Sequence, residues 1–237
     1  LVLMDDALAV ELGADIHGAV PEVFINADGV KKSISAPGVG NYISFAKAVA
    51  SAISIVGNPP LLLPSVVPAL VSLPPPLCPP ASGVVDRVSA ALVISDWPVP
   101  SAKSYVGHSL STASGDQLVS ALGTFKYNVI PGIKTITSIA SDVYQERARF
   151  ALNDMDTSER KMHVSFINSK GFGGNNATAV VLSPEQVDSI LAVRYGDDYG
   201  DYLSRRKRAI GNAYAYASLG ATAELAVISR FGGHLID

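Results

Sequence analysis

Two short runs hold the side chains best suited to chemistry: Lys103-Ser-Tyr-Val-Gly-His108 and Asn168-Ser-Lys-Gly-Phe-Gly-Gly-Asn-Asn176. Lys103 lies five residues before His108. Its ammonium is expected to enter the same pocket as the imidazole and to organise water, a carboxylate or the substrate there. His108 leads into Ser109 to Gly115, all small except Leu110. Just before or within the first turn of a helix built from that stretch, the imidazole is expected to feel the positive end of the macrodipole, which favours its neutral, hydrogen-bonding form. In the second run, Gly171, Gly173 and Gly174 permit positive φ and let the main chain come close to a ligand, with Phe172 projecting from the constrained loop. A phosphate cradle is the weaker reading of this turn, because no strand-loop-helix arrangement follows it.

Composition narrows the classes. The chain has 237 residues, 48% apolar and 16% charged, which describes a core-heavy globular protein with room for one large domain or two small ones. A net charge of -3 gives no basic excess for phosphate backbones, so nucleic acid is not an expected partner. Cys78 is alone, which excludes an intrachain disulfide and a cysteine-based zinc site, and the four histidines show no ligand spacing, so no metal is expected. A reducing, cytoplasmic setting fits. The opening Leu-Val-Leu-Met-Asp-Asp lacks the basic start of a signal peptide, and an opening residue other than Met suggests a fragment.

The elements that must position the two runs follow from periodicity. Leu1, Met4, Leu8 and Leu12 form a helical stripe stopped at Gly13, and Asp15 to Asn26 reads as a strand ending at Ala-Asp-Gly. Asn41 to Val56 reads as a small-residue core helix. A short helix through Leu92, an extended Val93 to Val99 and a long helical segment from Lys103 to Phe125 come next. Met162 to Asn168 and Ala177 to Leu182 are expected to pair as a hairpin around the glycine-rich turn. Ser183 caps a helix from Pro184 to Asp201, and the basic run Ser204 to Arg208 reads as a solvated helix face.

Taken in order, the two runs resemble the carboxyl-terminal half of the β-ketoacyl synthases, which carry Lys-Ser-x-x-Gly-His and Asn-Ser-x-Gly-Phe-Gly-Gly-x-Asn. Ile130-Pro-Gly-Ile133, Gly13-Ala-Asp-Ile-His17 and Ser35-Ala-Pro-Gly38 are also similar to that family. The resemblance implies a thiolase-like layered α/β/α/β/α fold, here mainly its second, C-terminal repeat. It also implies decarboxylative condensation of malonyl units onto carrier-bound acyl chains, without a cofactor. Catalytic roles pass by resemblance to Lys103, His108 and Phe172, and substrate binding to Gly171, Phe172 and Gly173. Phe172 would gate the acyl pocket and lend its amide to the oxyanion hole; many relatives have phenylalanine where Lys170 stands. Implied partners are an acyl carrier protein with its phosphopantetheine arm and a second copy in the intact protein, with no membrane. Fatty-acid or polyketide synthesis is the implied setting, and a non-catalytic partner subunit of chain-length-factor type is the alternative.

The family also uses a cysteine nucleophile from its amino-terminal half and a first histidine in a His-Gly-Thr turn. Neither is found here. Cys78, in Pro-Leu-Cys-Pro-Pro, lacks the helix start that stabilises a thiolate. No charged residue occurs from Ala48 to Val85, and nine of the 15 prolines fall between Pro59 and Pro80, which also breaks any membrane span. The chain is therefore expected to divide into 1–57, an aberrant 58–85 and a ketosynthase-like 86–237. Residues 58–85 are expected to be translated from a shifted reading frame. The coding DNA tests this: an alternative frame across those codons should spell a His-Gly-Thr-like turn, and its absence from both frames would mean a genuine loss.

Overall fold

The computed structural model describes residues 2–28, 39–56, 66–67, 97–141 and 149–222. Expectations for 29–38, for the remainder of 58–85 with Cys78, and for the helix through Leu92 lie outside the described residues. The chain separates into two compact units, Leu1–Ile16 with Leu191–Asp237, and His17–Ile190.

The larger unit is built on a four-stranded sheet in the order β1-β8-β7-β2. Its strands are β1 (Val23–Ala27), β2 (Val66–Val67), β7 (Val164–Gly171) and β8 (Asn175–Leu182). β8 runs antiparallel to β1 and β7, while β2 is parallel to β7. The expected hairpin is present, with strands that reach further toward the turn than the apolar runs suggest: Gly171 pairs with Asn175. Helix α2 (Val39–Val56) packs on β8 and β1. Phe45 meets Phe166 edge-on at 5.5 Å and Trp97 stacks on the same ring at 5.7 Å, centring the core on β7. Helix α2 is also long and apolar enough to cross a membrane, yet Ala48, Val49 and Ala52 are buried and Ser44 bonds Thr178 of the sheet. The helix thus lays one face on the sheet, with about a third of it buried.

The first strand is shorter than expected. Proline at 21 has no N–H to give a ladder, and Gly18 lies so close to Leu182 that a Cβ would meet its carbonyl oxygen; Ala19 forms an isolated bridge with Leu182 before β1 begins. Val23 and Ile25 on β1 are 53% and 74% exposed.

The helical segment from Lys103 is broken. It forms α3 (Lys103–Val106), a 3₁₀ turn (Leu110–Thr112) and α4 (Ala113–Tyr127). Gly107 ends α3 with φ 75° and ψ -165°, a conformation open essentially to glycine, and Leu110 follows at φ 57°. The remaining short strands are β3 (Pro98–Val99), β4 (Val129–Ile130), β5 (Arg149–Phe150) and β6 (Met155–Asp156). β3 pairs in parallel with β5, and β4 antiparallel with β6.

Helix α5 (Pro184–Tyr195) starts as expected, with Gln186 N–H donating to Ser183 Oγ at 3.3 Å. It does not reach Asp201. Gly196 turns to φ 51°, its N–H closing on Ala192 O at 3.1 Å, and a new helix, α6 (Asp198–Thr222), follows.

In the smaller unit α1 (Asp6–Leu12) begins where Asp5 caps it, accepting from Leu8 N–H at 2.8 Å. The predicted stripe is not the buried face: Ala9 and Val10 are buried, whereas Met4, Leu8 and Leu12 are exposed. Asp6 accepts from Tyr195 Oη and pairs with Arg194. Part of the basic run is occupied rather than solvated, since Arg205 donates to Val10 O and Arg206 to Asp15 Oδ1, both at 3.2 Å.

The Ile130–Ile133 turn is held from several sides. Tyr105 Oη donates to Gly132 O and accepts from Lys134 N–H at 3.1 Å; Gly132 N–H donates to Asp154 Oδ1 at 2.9 Å. A Cβ on Gly132 would collide with the main chain of Asn153. Gly132→Ala should therefore lower stability by about 1–3 kcal/mol, measured by denaturant unfolding followed through Trp97. The Gly132 amide, with the Lys134 ammonium, holds the Asp154 carboxyl below its ordinary range. A depressed folded-state value means the contact is intact above the ordinary value of 3.8 and is lost as pH falls through the lower one. The Gly132 amide resonance should thus titrate with a midpoint below 3.8.

Candidate functional site

Side-chain alternation along the hairpin decides which residues share a face. Asn168 and Lys170 of β7, with Asn176 and Thr178 of β8, face α2; Ser169 and Gly171 face the other way. On that second face Ser114, in the first turn of α4, meets Ser169 hydroxyl to hydroxyl at 2.8 Å. The segment that follows His108 is thereby joined to the strand that leads into Phe172.

Around this junction the two runs take definite shapes. Lys103 opens α3 and is partly exposed, and His108 is exposed in the link between α3 and the 3₁₀ turn. That position corrects one expectation. α4 starts at Ala113, and a macrodipole falls off within about one turn, so the field of α4 does not account for a neutral imidazole at 108. Downstream of His108, Ser109 Oγ donates to Asp116 of α4. In the other run, Phe172–Gly174 form a tight reversal in which Gly173 and Gly174 hold left-handed φ of 76° and 81°. Gly171 is extended, with φ -108°. Glycine is thus required by backbone conformation at 173 and 174 and not at 171. The Phe172 ring and its projection lie outside the described side chains.

The face toward α2 carries a buried polar seam that motif reading passed over. Asn168 Nδ2 donates to Asn41 Oδ1 at 2.9 Å and Thr178 Oγ1 at 2.7 Å, and Ser44 Oγ meets Thr178 Oγ1 at 3.1 Å. Asn176 Nδ2 donates to Gly174 O and Asp28 Oδ1 at 2.9 and 2.8 Å. Asn41, Ser44, Asn168, Asn176 and Thr178 are all buried. The available signal was composition: asparagine and threonine at inward positions of strands are costly unless bonded. Lys170 forms a buried pair with Asp28 at 3.0 Å. Among the described residues no group of His, Cys, Asp and Glu is arranged to hold a metal ion.

No protein-family profile matches the chain. It is 52% identical over its whole length to the β-ketoacyl-[acyl-carrier-protein] synthase FabY of Pseudomonas aeruginosa, of which it spans 37%. The crystal structure of the ketosynthase FabY from P. aeruginosa superposes on 99% of the chain with a TM-score of 0.83, at 50% identity and over 37% of that structure. A ketosynthase from module 6 of the bacillaene synthase of Bacillus subtilis matches 76% of the chain and 34% of its own, with a TM-score of 0.58 at 17% identity. A ketosynthase domain for oxazolomycin from Streptomyces albus matches 76% of the chain and 33% of its own, with a TM-score of 0.57 at 18% identity; these two show the fold alone. Similarity thus runs along the whole chain, which spans about a third of the length of FabY and has the mixed helix-and-sheet fold of the corresponding part of that ketosynthase.

Proposed function

We propose that this chain is the part of a β-ketoacyl-carrier-protein synthase that contributes Lys103, His108 and the Gly171–Gly173 turn to decarboxylative Claisen condensation, and that it is inactive alone. The supporting observation is the Ser114–Ser169 junction, which joins the segment following His108 to the strand carrying the turn. In the reaction the malonyl carboxylate leaves as carbon dioxide, and its bonding electrons form an enolate whose charge gathers on the thioester oxygen. His108 donates a hydrogen bond to that oxygen. The enolate carbon then attacks an acyl thioester held on a cysteine of another part of the enzyme, forming the new carbon-carbon bond and releasing the thiolate. The amide of Phe172 meets the oxyanion of that second step, and Lys103 orients the departing carboxylate. No resident cofactor is needed.

The substrates would arrive on the phosphopantetheine arm of an acyl carrier protein, and the complete enzyme would act as a homodimer in the cytoplasm. A second reading, a non-catalytic ketosynthase-like subunit, is favoured by the lack of a His-Gly-Thr turn between residues 57 and 86 of this sequence. A chimera separates the two. Residues 1–57 and 86–237 replace the matching stretches of FabY, which keeps its own residues where 58–85 would lie. The chimera should release carbon dioxide from malonyl carrier protein, and His108→Ala should reduce this by at least about 100-fold. A folded chimera that neither accepts acyl groups nor decarboxylates would support the non-catalytic subunit, and activity untouched by His108→Ala would remove the role assigned to that residue.

A further inference from the structure

Lys170 and Asp28 are distant in sequence and meet beneath the glycine-rich turn, with Nζ 3.0 Å from Oδ2 and side chains only 3% and 0% exposed. A buried charge is tolerated when paired and hydrogen-bonded, and the Asp28 carboxylate is both. Its Oδ1 accepts from Asn176 Nδ2 at 2.8 Å and from Gly40 N–H, in the first turn of α2, at 2.9 Å. The Asp28 main chain reaches the turn directly, its N–H donating to Gly174 O at 2.8 Å. Glycine is required on both flanks for this approach. A Cβ on Gly40 would lie 2.6 Å from Ala27 O, and one on Gly174 would lie 3.0 Å from Asp28 Cβ.

We infer that Asp28 and Lys170 are positioning residues: their buried ion pair clamps the Gly171–Gly174 turn between β1 and the start of α2, setting the main-chain amides that would meet the oxyanion. Lys170 thus fastens the turn through charge. The functional half of this inference rests on the condensing reading above; the mechanical half does not. The geometry also makes the pair directional. Only an acceptor at position 28 can serve Lys170, Asn176 N–H and Gly40 N–H together, so the two charges are not interchangeable.

Hydrogen exchange on the full chain tests the clamp. Asp28→Asn and Lys170→Met should each speed exchange of the amides in 172–176 by about tenfold or more, while 164–168 keep their protection and Trp97 emission, from beside Phe166, stays unchanged. Lys170→Arg should restore protection. The exchanged pair, Asp28→Lys with Lys170→Asp, should not. Unchanged turn amides in both single variants, recovery in the exchanged pair, or loss of protection spread evenly over 164–182 would overturn the clamp. In the FabY chimera, Lys170→Met should lower kcat by about 10- to 100-fold with KM for malonyl carrier protein within about twofold. A loosened turn with unchanged kcat would overturn the functional half alone, whereas a folded chimera that neither accepts acyl groups nor decarboxylates would count against the condensing role and leave the exchange result standing.

Discussion

Register along β7 and β8 is the constraint on which the larger unit depends. Pairing of Gly171 with Asn175 leaves only Phe172, Gly173 and Gly174 to reverse the chain. Because side chains alternate, a slip of one residue would turn Asn168, Lys170 and their partners away from α2 and put Ser169 among the buried groups. The polar seam and the Ser114 junction therefore hold the same register from opposite faces of the sheet. Gly173 and Gly174 supply the left-handed conformations that so short a reversal demands, and other residues adopt these only with strain.

The seam also explains how the region around the hairpin keeps a unique arrangement. Apolar contacts such as Trp97 on Phe166 supply burial without direction. Asn168, Thr178, Ser44 and Asn41 supply direction, because the bonds that join them form in one geometry and are lost in others. Among the described residues the side-chain carbonyl oxygens of Asn168 and Asn176 meet no donor, so the seam is densest in bonds at its amide nitrogens. Charge enters only at its end beneath the turn, where Asp28 collects donors from three separate segments.

Much of this was legible from residue order where the deciding physics is local. The hairpin announces itself by β-branched runs on either side of glycines, Ser183 by its place before Pro184, and the helix from Asn41 by its alanines. Breaks inside helical patterns were not legible: apolar spacing continues through Gly107 and Gly196, and only their positive φ shows that the helix has ended. The stripe of Met4, Leu8 and Leu12 misled because a seven-residue helix buries whichever side its neighbour covers, and that side is Ala9 and Val10. At the candidate site the motifs identified the residues without their surroundings. Asp28 and Lys170 stand 142 positions apart, so neither periodicity nor local spacing signals their encounter.

That encounter restricts how relatives of this sequence can diverge. A neutral residue arriving at 170 strands a carboxylate in the interior, and a neutral residue at 28 strands an ammonium, each at a cost of about 3–5 kcal/mol. The two sites must therefore drift as a couple, passing from charged to uncharged together or through an intermediate that barely folds. Gly40 and Gly174 are bound into the same inheritance, since either gaining a side chain closes the space through which Asp28 reaches its neighbours.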